Sequence, residues 1–168
     1  RSSVSTACTN PAMSVAPVRI VGSVRRMLVA TDGSPTAERA LEQALKLRGQ
    51  LREGDQCELQ LVNVQRPVSG NVASFATASS LEDYHRERAE TALAPARKRL
   101  ADAGIAFKEH RRVGDPGRTI AEVAASEACD LIVMGARGLG AHTAALLGSV
   151  ASGTLENANV PVLVVRGE

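Results

Sequence analysis

The chain has 168 residues, 44% hydrophobic and 23% charged, with a formal net charge of +2, which sets one domain able to bury a core without staples. No apolar run approaches a membrane-spanning helix, and acids and bases are interspersed, so composition points neither to a membrane protein nor to a nucleic-acid binder. Aromatics are only 2%, namely Phe75, Tyr84 and Phe107, so a bound base would have to be held by aliphatic side chains and backbone, and the widely spaced Cys8, Cys57 and Cys129 make neither a disulfide framework nor a zinc site, predicting a cytoplasmic protein.

Residues 1–26 are rich in Ser, Thr, Ala, Pro and Val without sustained periodicity or a signal-peptide pattern, and read as a flexible extension ahead of a domain over 27–168. Met27 to Asp32 is the first buried strand, and Ser34 and Pro35 then cap and open a helix whose Ala37, Ala40, Leu41, Ala44, Leu45 and Leu51 recur at helical spacing. Asp32 ends that strand, where open α/β sheets bind ligands; spacing alone equally allows a turn or capping aspartate. After a turn at Gly54-Asp55 a second strand runs from Cys57 to Val64.

Gln65 to Ser80 is a long connection, of the kind that is either a functional lid or disordered. Ser80 and Asp83 form a capping-box pattern for a helix over Leu81 to Ala103, with Tyr84, Leu93 and Leu100 on its apolar face and a kink expected at Pro95. Ala106 to Val113 is polar and basic for a strand, which suits a sheet edge; His85 and His110 read as surface residues. Gly114 to Gly117 turns into a helix over Thr119 to Ala128. A buried strand, Leu131 to Met134, a glycine-rich loop, a helix from Ser149 to about Ala158 and a last strand Val160 to Val165 complete the chain. Alternating β and α elements predict a five-stranded, parallel, doubly wound sheet with right-handed crossovers.

The glycine loop is the organising feature. Glycine permits φ > 0 and lets a ligand reach backbone N–H groups, and a helix N-terminus beside it adds unpaired donors, so strand, loop and helix read as a phosphate cradle. The order Gly135, Gly138, Gly140 is not the dinucleotide fingerprint, and Ala141-His142 stand where a Walker loop needs Lys then Ser or Thr. What remains is Gly135-x-x-Gly138, nine residues, then Gly148-Ser149.

This pattern, together with Leu28 to Ser34, Val113-Gly114-Asp115-Pro116 and Pro161 to Val165, resembles the universal stress protein family from Met27 onward. The resemblance implies the Rossmann-like adenine nucleotide hydrolase fold with strand order 3-2-1-4-5, a homodimer, and ATP between the ends of the first and fourth strands, with Mg²⁺ or Mn²⁺. By position it implies Ala30, Thr31 and Asp32 at the adenosine, Val64 at the adenine, Met134, Gly135 and Gly138 along ribose and phosphates, and Gly148, Ser149 and Val150 at the terminal phosphates. Ala30 stands where ATP-binding relatives often have proline. With that strand order Val162 to Val165 is an apolar, uncharged edge that invites a second copy of the chain.

Phosphoanhydride hydrolysis wants a charged clamp, a metal and a positioned water or base. The loop offers Arg137 as a phosphate clamp and His142, which reads as a solvated loop residue, and no Gly-x-Ser-x-Gly elbow occurs. These features suggest an ATP-binding stress-response regulator with an unidentified downstream partner, ahead of a slow ATPase, an autophosphorylating switch or a nucleotide-free dimerising scaffold.

Overall fold

A computed structural model describes residues 24–51, 56–68, 77–139 and 147–167. Nine elements follow in order: β1 (Arg26–Ala30), α1 (Pro35–Gln50), β2 (Glu58–Gln65), α2 (Ala78–Asp102), β3 (Phe107–Val113), α3 (Pro116–Ser126), β4 (Leu131–Gly135), α4 (Ser149–Asn157) and β5 (Val162–Val165). The strands form one sheet in the order β3-β2-β1-β4-β5, every pair parallel. This is the predicted doubly wound architecture and strand order.

Because successive strand residues face opposite sides, each buried run feeds two cores. Met27, Val29, Leu59, Leu61, Leu131 and Val133 pack with Leu41 of α1 and Leu93 and Leu100 of α2. Leu28, Ala30, Val62, Ile132 and Met134 pack on the other face with Ile120, Val123 and Ala124 of α3 and Ala151 of α4. The chain therefore leaves β1 toward one face and β4 toward the other, and a crevice opens between their carboxyl ends. On the second face α3 and α4 approach through glycines: a Cβ on Gly117 would stand 2.8 Å from Gly153 Cα.

Both edges differ in chemistry as expected. On β3, Arg97 of α2 grips Glu109 with two bonds (2.5 and 2.8 Å), Arg111 donates to Glu109 (2.8 Å), and Lys108 pairs with Glu127 (2.5 Å). The β5 edge offers only Val162 to Val165, with Leu163 exposed.

Several local expectations are corrected. β1 begins at Arg26, whose N–H and that of Arg25 donate to Asp130 (3.0 and 2.8 Å), and it ends at Ala30, leaving Thr31 and Asp32 in the following turn. β2 runs Glu58–Gln65, one residue beyond the expectation at its end, and β5 starts only at Val162. α2 starts at Ala78 with Thr77 as its cap, the Thr77 hydroxyl oxygen accepting from the Ser80 N–H (3.2 Å); Asp83 pairs with Arg86 instead of closing a capping box. Pro95 lies inside this helix, where the sequence places it. α3 starts at Pro116, capped by Asp115 (3.0 Å to the Arg118 N–H), and ends at Ser126, because Ala128 takes the left-handed conformation (φ 51°) that terminates a helix. His110 is 3% exposed, not a surface residue. Tyr84 leaves the apolar face: nine residues at about 100° each place it half a turn from Leu93, and it is 45% exposed. The extension up to residue 23, the Gly54-Asp55 turn, Phe75 and half of the 65–80 connection lie outside the described residues.

Candidate functional site

At the carboxyl end of the sheet lies a cleft of about 1260 Å³. All eleven positions singled out in the sequence line it: Ala30, Thr31 and Asp32 after β1, Val64 on β2, Met134, Gly135, Arg137 and Gly138 after β4, and Gly148, Ser149 and Val150 at the start of α4. His142 lies outside the described residues.

The floor is a polar relay laid over apolar side chains. Asn63, 1% exposed, donates from Nδ2 to the Thr31 carbonyl (2.7 Å) and accepts from Gln65 Nε2 (2.7 Å). The backbone of Thr31 in turn donates to the Val62 carbonyl (2.9 Å), so the turn after β1 is tied to β2 from two directions. Gly33 permits that turn, with φ +79° and a would-be Cβ only 3.1 Å from Ala92 Cα of α2.

Asp32 joins two loops. Its Oδ1 accepts from the Ser34 N–H (3.0 Å), a local aspartate turn, while its Oδ2 accepts from the Leu139 N–H (2.8 Å), 107 residues away. Asp32 is therefore a turn residue, and it also lines the cleft, clasping the glycine loop. The space it fills explains the glycine beside it. A Cβ on Gly138 would fall on Asp32 Oδ2, and a Cβ on Gly135 would stand 2.9 Å from Thr36 Cγ2. Neither glycine lies in the left-handed region, so close approach, not positive φ, is what excludes a side chain there.

The third component is the start of α4. Gly148 occupies the cap position in extended conformation (φ −76°, ψ 163°) and supplies no side-chain acceptor. Its own N–H donates to the Ala136 carbonyl (2.8 Å), which fixes the loop against the helix. The first N–H groups of an α-helix have no partner within it, and among the described residues nothing accepts from those of Ser149, Val150 and Ala151, which line the cleft with a half-buried Arg137. That combination of helix dipole, bare donors and a guanidinium can bind an anion.

Opposite the glycine loop the cleft is walled by residues that sequence reasoning missed: Arg66 and Pro67 after β2, and Tyr84, Glu87, Arg88 and Thr91 on α2, with Pro116 and Ile120 on the remaining side. Positions 84, 87, 88 and 91 are one face of a helix, a spacing visible in the sequence. Tyr84 makes an aromatic ring available to the cleft, which the composition argument had set aside. The Arg88 guanidinium lies 5.5 Å from the Tyr84 ring centroid and donates to its hydroxyl (3.3 Å). Among the described residues no group of three His, Cys, Asp or Glu side chains could hold a metal ion, and no helix is long and apolar enough to cross a membrane.

The model of the universal stress protein family matches residues 23–166. A universal stress protein from the QAH/OAS sulfhydrylase 3′ region of Thermus aquaticus is 34% identical over 143 residues, covering 84% of this chain and 98% of its own. The solved structure of MJ0577 from Methanocaldococcus jannaschii, named a universal stress protein, is similar with a TM-score of 0.72 and 31% identity, covering 86% of this chain and 97% of that one. A universal stress protein solved in complex with cAMP is similar with a TM-score of 0.62 and 25% identity, covering 84% and 97%.

Proposed function

The chain belongs to the universal stress protein family, and from that membership we propose that it is a dimeric regulator of the stress response that binds ATP in the cleft between β1 and β4. The observation that supports this best is convergence. Residues of three separate turns, Asp32, Gly135 to Gly138 and Gly148 to Val150, line one cleft, with the uncapped donors of α4 at its phosphate end. The adenosine would lie over Ala30, Thr31 and Asp32 toward Val64, ribose and inner phosphates along Met134, Gly135 and Gly138, and the terminal phosphates on Gly148, Ser149 and Val150 with Arg137 as clamp. The similar protein in complex with cAMP supports an adenine nucleotide as the ligand class. A Mg²⁺ or Mn²⁺ ion would be held chiefly by the phosphates, as hard cations in nucleotide sites commonly are.

Regulation is favoured over catalysis because the two carboxylates lining the cleft among the described residues are Asp32, placed under the adenosine with both oxygens engaged by backbone amides, and Glu87 on α2, so neither is assigned to a water beside the terminal phosphates. The dimer would form across β5, Val162 to Val165 of each copy, since that strand is an uncharged edge. The test is nucleotide extraction from purified protein with mass analysis, followed by calorimetric titration of nucleotide-free protein with Mg-ATP. ATP carried through purification, or binding at micromolar concentration without release of ADP over hours, supports the reading. ADP accumulation would make it an ATPase, and no heat on titration would remove the nucleotide altogether.

A further inference from the structure

The first eleven residues of α2, Ala78 to Arg88, contain no buried side chain, while every buried residue of that helix lies from Ala89 onward. Three turns of helix thus stand beside the cleft without sheet beneath them, and on their inner side is Tyr84, the sole tyrosine of a chain that has no tryptophan. Among the described residues its ring contacts are with its own helix: Arg88 over the ring, and His85 edge-on with centroids 5.5 Å apart. An aromatic ring left 45% exposed, lining the cleft and steadied by a guanidinium, presents a stacking surface rather than a core residue.

Resting on the nucleotide reading above, we infer that Tyr84, held by Arg88, is the wall against which the nucleotide's base packs, and that it makes the cleft prefer purine to pyrimidine nucleotides. Tyr84 and Val64 line the same cleft, Tyr84 from α2 and Val64 from the carboxyl end of β2. Floor and wall then hold the base between aliphatic and aromatic surfaces, while the phosphates run toward α4. A purine offers more π surface to the ring than a pyrimidine does, which is the source of the preference. Arg88 serves as a positioning residue, since its contact is with the ring.

Tyr84 is its own reporter, because tyrosine emission from this protein comes from one residue. Nucleotide-free protein is titrated with ATP and with UTP, by calorimetry and by tyrosine emission, with free tyrosine titrated in parallel to correct for absorption by the nucleotide. ATP is expected to change Tyr84 emission in step with the heat. Tyr84→Ala should lower ATP affinity about 5- to 150-fold, the span of one base–aromatic stack, lower UTP affinity less, and so narrow the ATP to UTP ratio; Tyr84→Phe, which keeps the ring, should restore affinity to within about twofold. The thermal midpoint of ligand-free Tyr84→Ala should match the parent, as the ring is half exposed. Should that variant fail to fold, emission from the parent protein decides. ATP heat with unchanged emission, or an unchanged ATP to UTP ratio in Tyr84→Ala, overturns this inference and leaves nucleotide binding standing, whereas no heat from any nucleotide overturns both.

Discussion

Replacing Gly138 by alanine tests the clasp between the two loops of the cleft. The new Cβ would fall on Asp32 Oδ2, and since that oxygen ends a side chain able to turn, the relief is for the carboxylate to swing away and give up the Leu139 N–H. Backbone conformation adds nothing to the cost, because Gly138 is outside the left-handed region. A hydrogen bond to a charged acceptor contributes about 1.5–3 kcal/mol. Leu139 is 70% exposed, so water replaces part of it, and the net loss should be ~1–2 kcal/mol. For a domain of this size that lowers the thermal midpoint by about 2–8 °C. Asp32→Asn removes the same bond from the other side, since one amide oxygen cannot serve both Ser34 and Leu139. In a double-mutant cycle by urea denaturation the two substitutions should therefore overlap by ~1 kcal/mol instead of adding, and the Leu139 amide should exchange faster in each single variant. Additivity of the two, or an unaltered Leu139 amide in Gly138→Ala, would refute the clasp.

His110 is buried on the second face. The Glu58 carboxylate accepts from Gln60 Nε2 (2.7 Å), so the Gln60 oxygen faces His110 Nε2 (2.8 Å), which must donate and leave Nδ1 bare, 3.9 Å from Glu127. Burial, reinforced by Lys108 and Arg112, holds its pKa below the usual histidine value against the opposing pull of Glu127 and Glu109. The unfolded chain then binds the proton first, so stability should fall as pH drops below about 6.5, and urea midpoints of His110→Asn between pH 7.5 and 5.5 should fall less than the parent's. Cys129 is buried and its thiol is pushed up to about 11, chiefly by burial; at pH 8 roughly a thousandth is thiolate, so peptide mapping after iodoacetamide should find it unmodified in folded protein and labelled in urea. The Ile132 N–H donates to Pro161 O (3.0 Å) and the Ala136 N–H to Val165 O (2.7 Å). Pro161, Leu163 and Val165 thus turn their backbone groups inward and Val164 turns outward, so Val164→Pro should give a folded monomer by light scattering while Val165→Pro should impair folding. A Val164→Pro protein that remains dimeric would place the interface elsewhere.

What the linear chain determined is what neighbours a few residues apart can enforce. Short apolar runs such as Met27 to Ala30 and Leu131 to Met134 specify buried strands, Ser34 and Pro35 specify a helix start, and their alternation with helical stretches specifies a parallel sheet wrapped on both faces. The glycine spacing from Gly135 to Gly148 was likewise legible, because a backbone that must approach something closely excludes Cβ wherever it occurs. Tertiary structure decided what depends on partners far along the chain. Ser80 read as the cap of the second helix, yet the helix starts at Ala78 and the Thr77 hydroxyl takes that role by accepting from the Ser80 N–H. His110 looked solvated among Arg111 and Arg112, yet the pleat turns it inward onto Gln60, 50 residues away. Tyr84 carried the composition of a core residue, but its register on α2 faces it to the cleft. Asp32 shows the division within one side chain: Oδ1 meets an amide two residues on, as any aspartate in a turn can, whereas Oδ2 meets Leu139 only because β1 and β4 lie side by side. Local free energies are functions of local sequence, and the pairing of distant surfaces exists only once the sheet has formed.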